Sequence, residues 1–163
     1  KTNWGMSKRQ VKTIESLQIE EESDDVLVYG GQLLGRNAFI VFLFVNGKLA
    51  RGRYVISQEH SNLTDFIADY DALRSSLMKK YGEPEQSQTV WKNELYKDDP
   101  SEWGDAISYG HLVYYSTWEN SETIVSLILC GENYEIQLTI EYESKELKPL
   151  LESHLEQQAL DEL

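Results

Sequence analysis

Residues 134–142 read YEIQLTIEY, and this run decides the fold: Tyr134, Ile136, Leu138, Ile140 and Tyr142 alternate without exception with Glu135, Gln137, Thr139 and Glu141. Successive side chains of a strand point to opposite faces, so this strand has one dry face and one wet face. A strand within a doubly wound parallel sheet is covered on both faces and reads as a continuous apolar run. The alternation therefore argues for an antiparallel sheet with helices on one side.

Working outward, 111–118 and 123–129 read as two more strands, joined through Glu119-Asn120-Ser121 and Gly131-Glu132 turns into a meander that ends in the alternating run. Earlier in the chain, 26–34, 38–45 and 48–57 have strand character. Between the last two sits Asn46-Gly47, the dipeptide that a two-residue type I′ hairpin demands because both positions need positive φ. The run 38–45 is almost continuously apolar and is expected to be an inner strand covered on both faces; Arg51 and Arg53 on the return strand require water on one side. A further strand, containing Trp91, is predicted over 89–96.

The largest helix is predicted over 62–82, NLTDFIADYDALRSSLMKKYG, where Phe66, Tyr70, Leu73 and Leu77 repeat at helical spacing. Asn62 is placed to cap it, and Gly82 and Pro84 stop it. Asp65 and Asp69, one turn apart on its flank, are expected to be solvated. Ser7 and Gln10 form a capping box before a short helix carrying Val11, Ile14 and Leu17, with Trp4 placed to staple its entry. Asp99 as N-cap, Pro100 at N1 and Glu102 at N3 start a second short helix that runs to about Tyr109, with Gly110 beyond it. A terminal helix over 144–160 carries Pro149 in its first turn; from 149 on it is the part most separable from the rest. The acidic run Glu20–Asp25 reads as a solvated connection. The predicted whole is one α+β domain over 1–163, with a mainly antiparallel sheet of about six or seven strands and helices packed on one face.

The formal net charge of -13, from 28 acidic against 15 basic residues with no concentrated basic patch, excludes nucleic acid as a natural partner. The single Cys130 ends an apolar run and reads as a buried, inert thiol. No stretch approaches the roughly 18 consecutive apolar residues of a membrane-spanning helix. The chain opens on Lys1 rather than Met, so an upstream segment is expected: an export signal, a lipid-anchor region, a tag or another domain.

Catalytic chemistry finds little material. The candidate bases are His60, His111 and His154, none beside a nucleophile motif; no His or Cys pair has metal-ligand spacing; and Gly30-Gly31 and Gly35 lack the fingerprint of a phosphate loop. No catalytic residue, metal or cofactor is assigned. The unusual resource is aromatic, 4 Trp and 10 Tyr, concentrated in Tyr109, His111, Tyr114, Tyr115 and Trp118. Tyr and Trp are enriched where an amphipathic surface receives a partner. The competing reading places Tyr114 and Trp118 in the core with Tyr115 on the other face. The candidate binding residues are Trp103, Tyr109, His111 and Tyr115.

W-G-M-S-K-x-x-V at 4–11 and D-D-P-x-x-W-G-x-A-I-x-x-G-H-L-x-Y-Y at 98–115 together resemble a family of uncharacterised bacterial proteins, many of them predicted lipoproteins. The resemblance spans Trp4 to about Leu147. It implies an exported domain held at the membrane by an upstream lipid anchor. More loosely, the order of helix then antiparallel sheet resembles the beta-lactamase-inhibitor-protein-like architecture and the small lipoproteins of the outer-membrane assembly machine, which are binding modules. The expectation is a non-enzymatic binding or assembly module holding a protein partner outside the cytoplasm. The alternative is an enzyme or small-ligand-binding protein with a pocket near His111, Tyr109 and Trp103.

Overall fold

The computed structural model describes residues 1–163. All eight strands join one antiparallel sheet: β1 (Ile19–Glu22), β2 (Val26–Leu33), β3 (Arg36–Val45), β4 (Lys48–Ile56), β5 (Gln86–Trp91), β6 (Leu112–Glu119), β7 (Thr123–Glu132) and β8 (Glu135–Ser144), in the spatial order β1-β2-β3-β4-β8-β7-β6-β5. The helices are α1 (Lys8–Ile14), α2 (Asp65–Tyr81), α3 (Trp103–Ser108, entered through a 3-10 turn at Pro100–Glu102) and α4 (Lys148–Asp161). The α+β class and the antiparallel sheet are as the alternation over 134–142 predicts. The strand count is eight rather than six or seven.

The extra strand is β1, which lies in the acidic run read as a solvated connection. All four of its residues are exposed, and it is held by pairing of Ile19 to Tyr29 and Glu22 to Leu27. The strand predicted over 89–96 lies earlier, at Gln86–Trp91, paired with β6 from Gln86–Thr117 to Trp91–Leu112. β3 is covered on both faces only at its end: Ala38 and Phe42 are buried on the helical side and Val45 on the other, whereas Phe39 is 42% exposed.

Two apolar clusters occupy the helical side of the sheet. The larger packs Phe66, Tyr70, Leu73 and Leu77 of α2, and Ala106 and Ile107 of α3, onto Leu112, Tyr114 and Trp118 of β6, Leu127 of β7 and Leu138 and Ile140 of β8. The smaller sets Val11 of α1, with Trp4 and Met6, onto Leu27, Tyr29, Phe42, Phe44 and Leu49. The helical period of α2 is thus the period of its contact, and each fully buried Leu contributes about 1.5–3 kcal/mol. α4 is the exception. A bulge leaves Ala50 unpaired, since Leu43 faces Arg51 and Phe44 faces Leu49, and Leu151 packs on Val45 and Ala50 at the end of the β3–β4 hairpin. Phe44 belongs to the α1 cluster, so its neighbour Val45 and α4 lie on the other side.

The motif residues are consumed by this architecture. Ser7 and Gln10 close a reciprocal capping box on α1, Gly5 takes φ 83 and donates to the Leu49 carbonyl, and the Trp4 indole donates to Thr123 Oγ1 at 2.8 Å. The Asp99 side chain accepts from the Ser101 amide, and Gly104 comes so close to the entry of α2 that a Cβ there would lie 2.3 Å from the Thr64 nitrogen. At the start of α2 the Asn62 carboxamide accepts from the Thr64 amide, one turn ahead of the first helical residues.

Candidate functional site

The two clusters leave a gap between them, a cleft of about 930 Å³ on the helical side of the sheet. One wall is the N-terminal segment, pinned to β4 by the Gly5–Leu49 and Leu49–Met6 backbone bonds and to the β6–β7 turn by Trp4. The other is the last turn of α2, with Lys80 and Tyr81. The floor is the β3–β4–β8 surface at Ile40, Gly52, Tyr54 and Tyr142. Gly52 lies directly across from Tyr142, and a Cβ on it would meet nothing nearer than the Val41 carbonyl oxygen at 3.9 Å, so the glycine leaves the floor open. Tyr54 and Tyr142 meet edge to face, centroids 6.3 Å apart. Burial, followed by the neighbouring Tyr81 and Tyr54, pushes the Tyr142 phenol above its ordinary range, so it stays a neutral donor. Glu15, Glu122 and Glu146 stand around the opening with Lys1 and Lys80. The cleft can offer flat aromatic surface and phenolic hydrogen bonds to an inserted group.

None of the four sequence-derived binding residues lines this cleft. The structure splits them. Tyr109 and His111 come together, centroids 5.7 Å apart, in a cluster with Tyr96, stacked on His111 at 6.1 Å, and Tyr134, edge-on to Tyr109 at 5.4 Å. Tyr134 is 78% exposed because it sits in the β7–β8 turn at φ 70, after Asn133 at φ 52. Trp103 packs on Trp91 at 5.8 Å and donates its indole N–H to the Lys97 carbonyl at 3.1 Å, which makes it a brace for the loop after β5. Tyr115 pairs with Gln88 and Ile128 on the face away from α2, while Tyr114 and Trp118 are buried beneath the helices. The His111 Nδ1 atom is buried without a hydrogen-bond partner, and no carboxylate reaches the ring.

A third constellation escaped the sequence reading. Asp69, expected to be solvated, is buried; it accepts from Arg36 Nε at 2.6 Å and lies 2.6 Å from His60 Nε2, whose ring abuts Phe66. The signal was present: Asp69 is three residues after Phe66 and four before Leu73, on the buried stripe, where a carboxylate requires partners. The three residues tie the β2–β3 turn, the loop after β4 and α2 together, and no hydroxyl or thiol nucleophile is bonded to His60. Cys130 is half-buried and its thiol is pushed up by burial, the reverse of an activated nucleophile. No group of three His, Cys, Asp or Glu residues converges, and no helix is long and apolar enough to cross a membrane.

No family model, curated protein or solved structure matches the chain.

Proposed function

We propose that the chain is a non-enzymatic binding module that holds a segment of a protein partner in the tyrosine-floored cleft. The observation that carries this reading is the floor itself: Tyr54, Tyr81 and Tyr142 surround the space left by Gly52, and no nucleophile–base pair lines it. Tyrosines combine large, rigid contact area with a hydrogen-bonding tip, the combination found at the centres of protein interfaces. The net charge of -13 favours the approach of a cationic partner to the molecule as a whole. The proposed location, outside the cytoplasm on an upstream lipid anchor, rests on the motifs at 4–11 and 98–115. The rival, a small-ligand or catalytic site at Trp103, Tyr109 and His111, draws support from the unpaired His111 Nδ1 and lacks a carboxylate to orient the ring.

A photo-crosslinking residue at Ser121, on the cleft opening, in the full-length protein in its native cell, is expected to trap a discrete partner. The same probe at Gln137, on the far face, is expected to trap none, and Gly52→Leu, which fills the floor, to abolish the Ser121 product. Equal products from Ser121 and Gln137, or a Ser121 product indifferent to Gly52→Leu, would overturn the cleft reading. Recovery of the full-length protein wholly in the cytosol without lipid would overturn the location.

A further inference from the structure

The two ends of the sheet are built differently. β1 is four residues long, is broken by a register shift between Ile19 and Glu21, and carries Glu20, Glu21 and Glu22. Shortness, irregularity and charge are the devices by which an edge strand is kept from pairing with another chain. β5 has none of them. Gln86-Ser87-Gln88-Thr89-Val90-Trp91 contains no charged residue, proline or glycine, and it pairs with β6 in unbroken register. The Lys92 amide donates to the His111 carbonyl at 2.7 Å, just beyond the Trp91–Leu112 pair. In an antiparallel ladder this fixes which residues bond inward: Gln86, Gln88 and Val90 face β6, so Ser87, Thr89 and Trp91 turn their amides and carbonyls outward. No turn or loop backbone bonds to them, and Gln86 through Thr89 are exposed.

We infer that the β5 edge is a strand-pairing surface whose occupant is the β5 edge of a second copy of this chain. Each copy carries a net charge of -13, so two copies repel over most of their surfaces, and β5 is a run of six residues where no like charges meet. Antiparallel pairing about a two-fold axis at Thr89 sets Thr89 against Thr89 and Ser87 against Trp91, so the outward groups of each copy satisfy those of the other. Such pairing also ends itself. The resulting continuous sheet has β1 at both ends, and its shortness, its register shift and the exposed Glu20 and Glu21 guard each end against further addition. This surface lies at the far side of β6 and β7 from the cleft, so the inference stands or falls separately from the proposed partner site.

Sedimentation of the full chain from micromolar to millimolar concentration is expected to show a monomer–dimer equilibrium that tightens with added salt, because salt screens the mutual repulsion. Hydrogen exchange is expected to show Ser87, Thr89 and Trp91 amides gaining protection in the dimer, with Gln88 and Val90 protected in both states. Thr89→Pro removes a donor that β6 does not use, and edge strands accept proline there. It is expected to raise the dissociation constant by about 30-fold, one hydrogen bond being lost from each copy. Thr89→Lys, which sets two ammonium groups at the axis, checks the same point, and Thr89→Ala should leave the dimer intact. A chain monomeric at every concentration and salt overturns the inference. So does a dimer that both folded variants leave unchanged, or one that protects amides elsewhere. Protection of the β5 amides by another protein while the chain stays monomeric also overturns it, and reassigns the edge to that protein.

Discussion

Gly104→Ala is the sharpest perturbation of the packing argument. A Cβ on Gly104 would stand 2.3 Å from the Thr64 nitrogen, 2.4 Å from the Leu63 carbonyl carbon and 2.8 Å from Leu63 Cβ. Two of the three are backbone atoms, so no side-chain rotation relieves the clash, and reaching an ordinary 3.4 Å contact needs a movement of α3 by about 1 Å. That movement would lift Ala106 and Ile107, both fully buried, off the sheet. Overpacking of this kind costs about 3 kcal/mol at the upper end of its usual range. Alanine's better helix propensity returns about 1 kcal/mol. The expected net loss is about 2 kcal/mol, which at a urea dependence of about 2 kcal/mol per molar lowers the unfolding midpoint by about 1 M. Gly52→Ala is the control, since its Cβ enters open space, and the lower entropy cost of alanine in the strand should hold its midpoint or raise it slightly. Tryptophan fluorescence against urea measures both. A Gly104→Ala midpoint equal to that of Gly52→Ala would refute the close approach of α3 to the start of α2.

Two further outcomes follow from the hydrogen bonds. Tyr70 Oη is bonded to Ser116 Oγ at 2.7 Å beneath α2, so Ser116→Ala strands a buried phenol and should cost about 1–3 kcal/mol, while Tyr70→Phe with Ser116→Ala should cost less than the sum of the single changes; strict additivity in a denaturation cycle would refute the coupling. Burial alone would raise the Glu143 carboxyl, but the Arg51 hydrogen bond and charge, aided by Lys148, bring it below its ordinary value. Its contribution should therefore be complete above about pH 4.5 and vanish as pH falls through the lowered folded value, so the stability gap between wild type and Glu143→Gln should be flat near neutrality and close in acid, and a gap that widens in acid would refute this.

What the sequence disclosed depended on whether a residue's environment is set by its near neighbours. α2 was legible because Phe66, Tyr70, Leu73 and Leu77 bury one stripe, and β8 because Leu138 and Ile140 are buried while Gln137 is exposed. The same alternation misplaced Tyr134, which belongs to a turn with positive φ rather than to the strand. β1 left no periodic trace, because an edge strand with no buried side chain is held by backbone pairing and by the Lys8 and Lys12 contacts to Glu22 rather than by an apolar face. β5 was shifted for a related reason: Gln86, Ser87 and Gln88 have little strand propensity and are placed by β6. The cleft was not legible at all. Trp4, Gly52, Tyr54, Tyr81, Thr123 and Tyr142 are scattered along the chain and meet only once the sheet order β4-β8-β7 is known.

That meeting depends on a single seam. Within the sheet, the strands β1–β4 and the strands β5–β8 pair only where Arg51 to Val55 of β4 meet Glu143 to Thr139 of β8. On the face away from the cleft this seam carries ion pairs: Arg51 to Glu143 at 2.8 Å, Arg51 to Glu141 at 3.5 Å, and Arg53 to Glu141. Ion pairs this buried contribute little net stability, because desolvation offsets much of the attraction. Their effect is on register. A slip of one residue would turn every β4 side chain to the other face, parting Arg51 and Arg53 from Glu141 and Glu143 and leaving the buried Glu143 carboxylate without its guanidinium. The charges on the outer face therefore favour the register that sets Gly52 opposite Tyr142 and Tyr54 opposite Ile140 on the inner one, which is the register that forms the cleft floor.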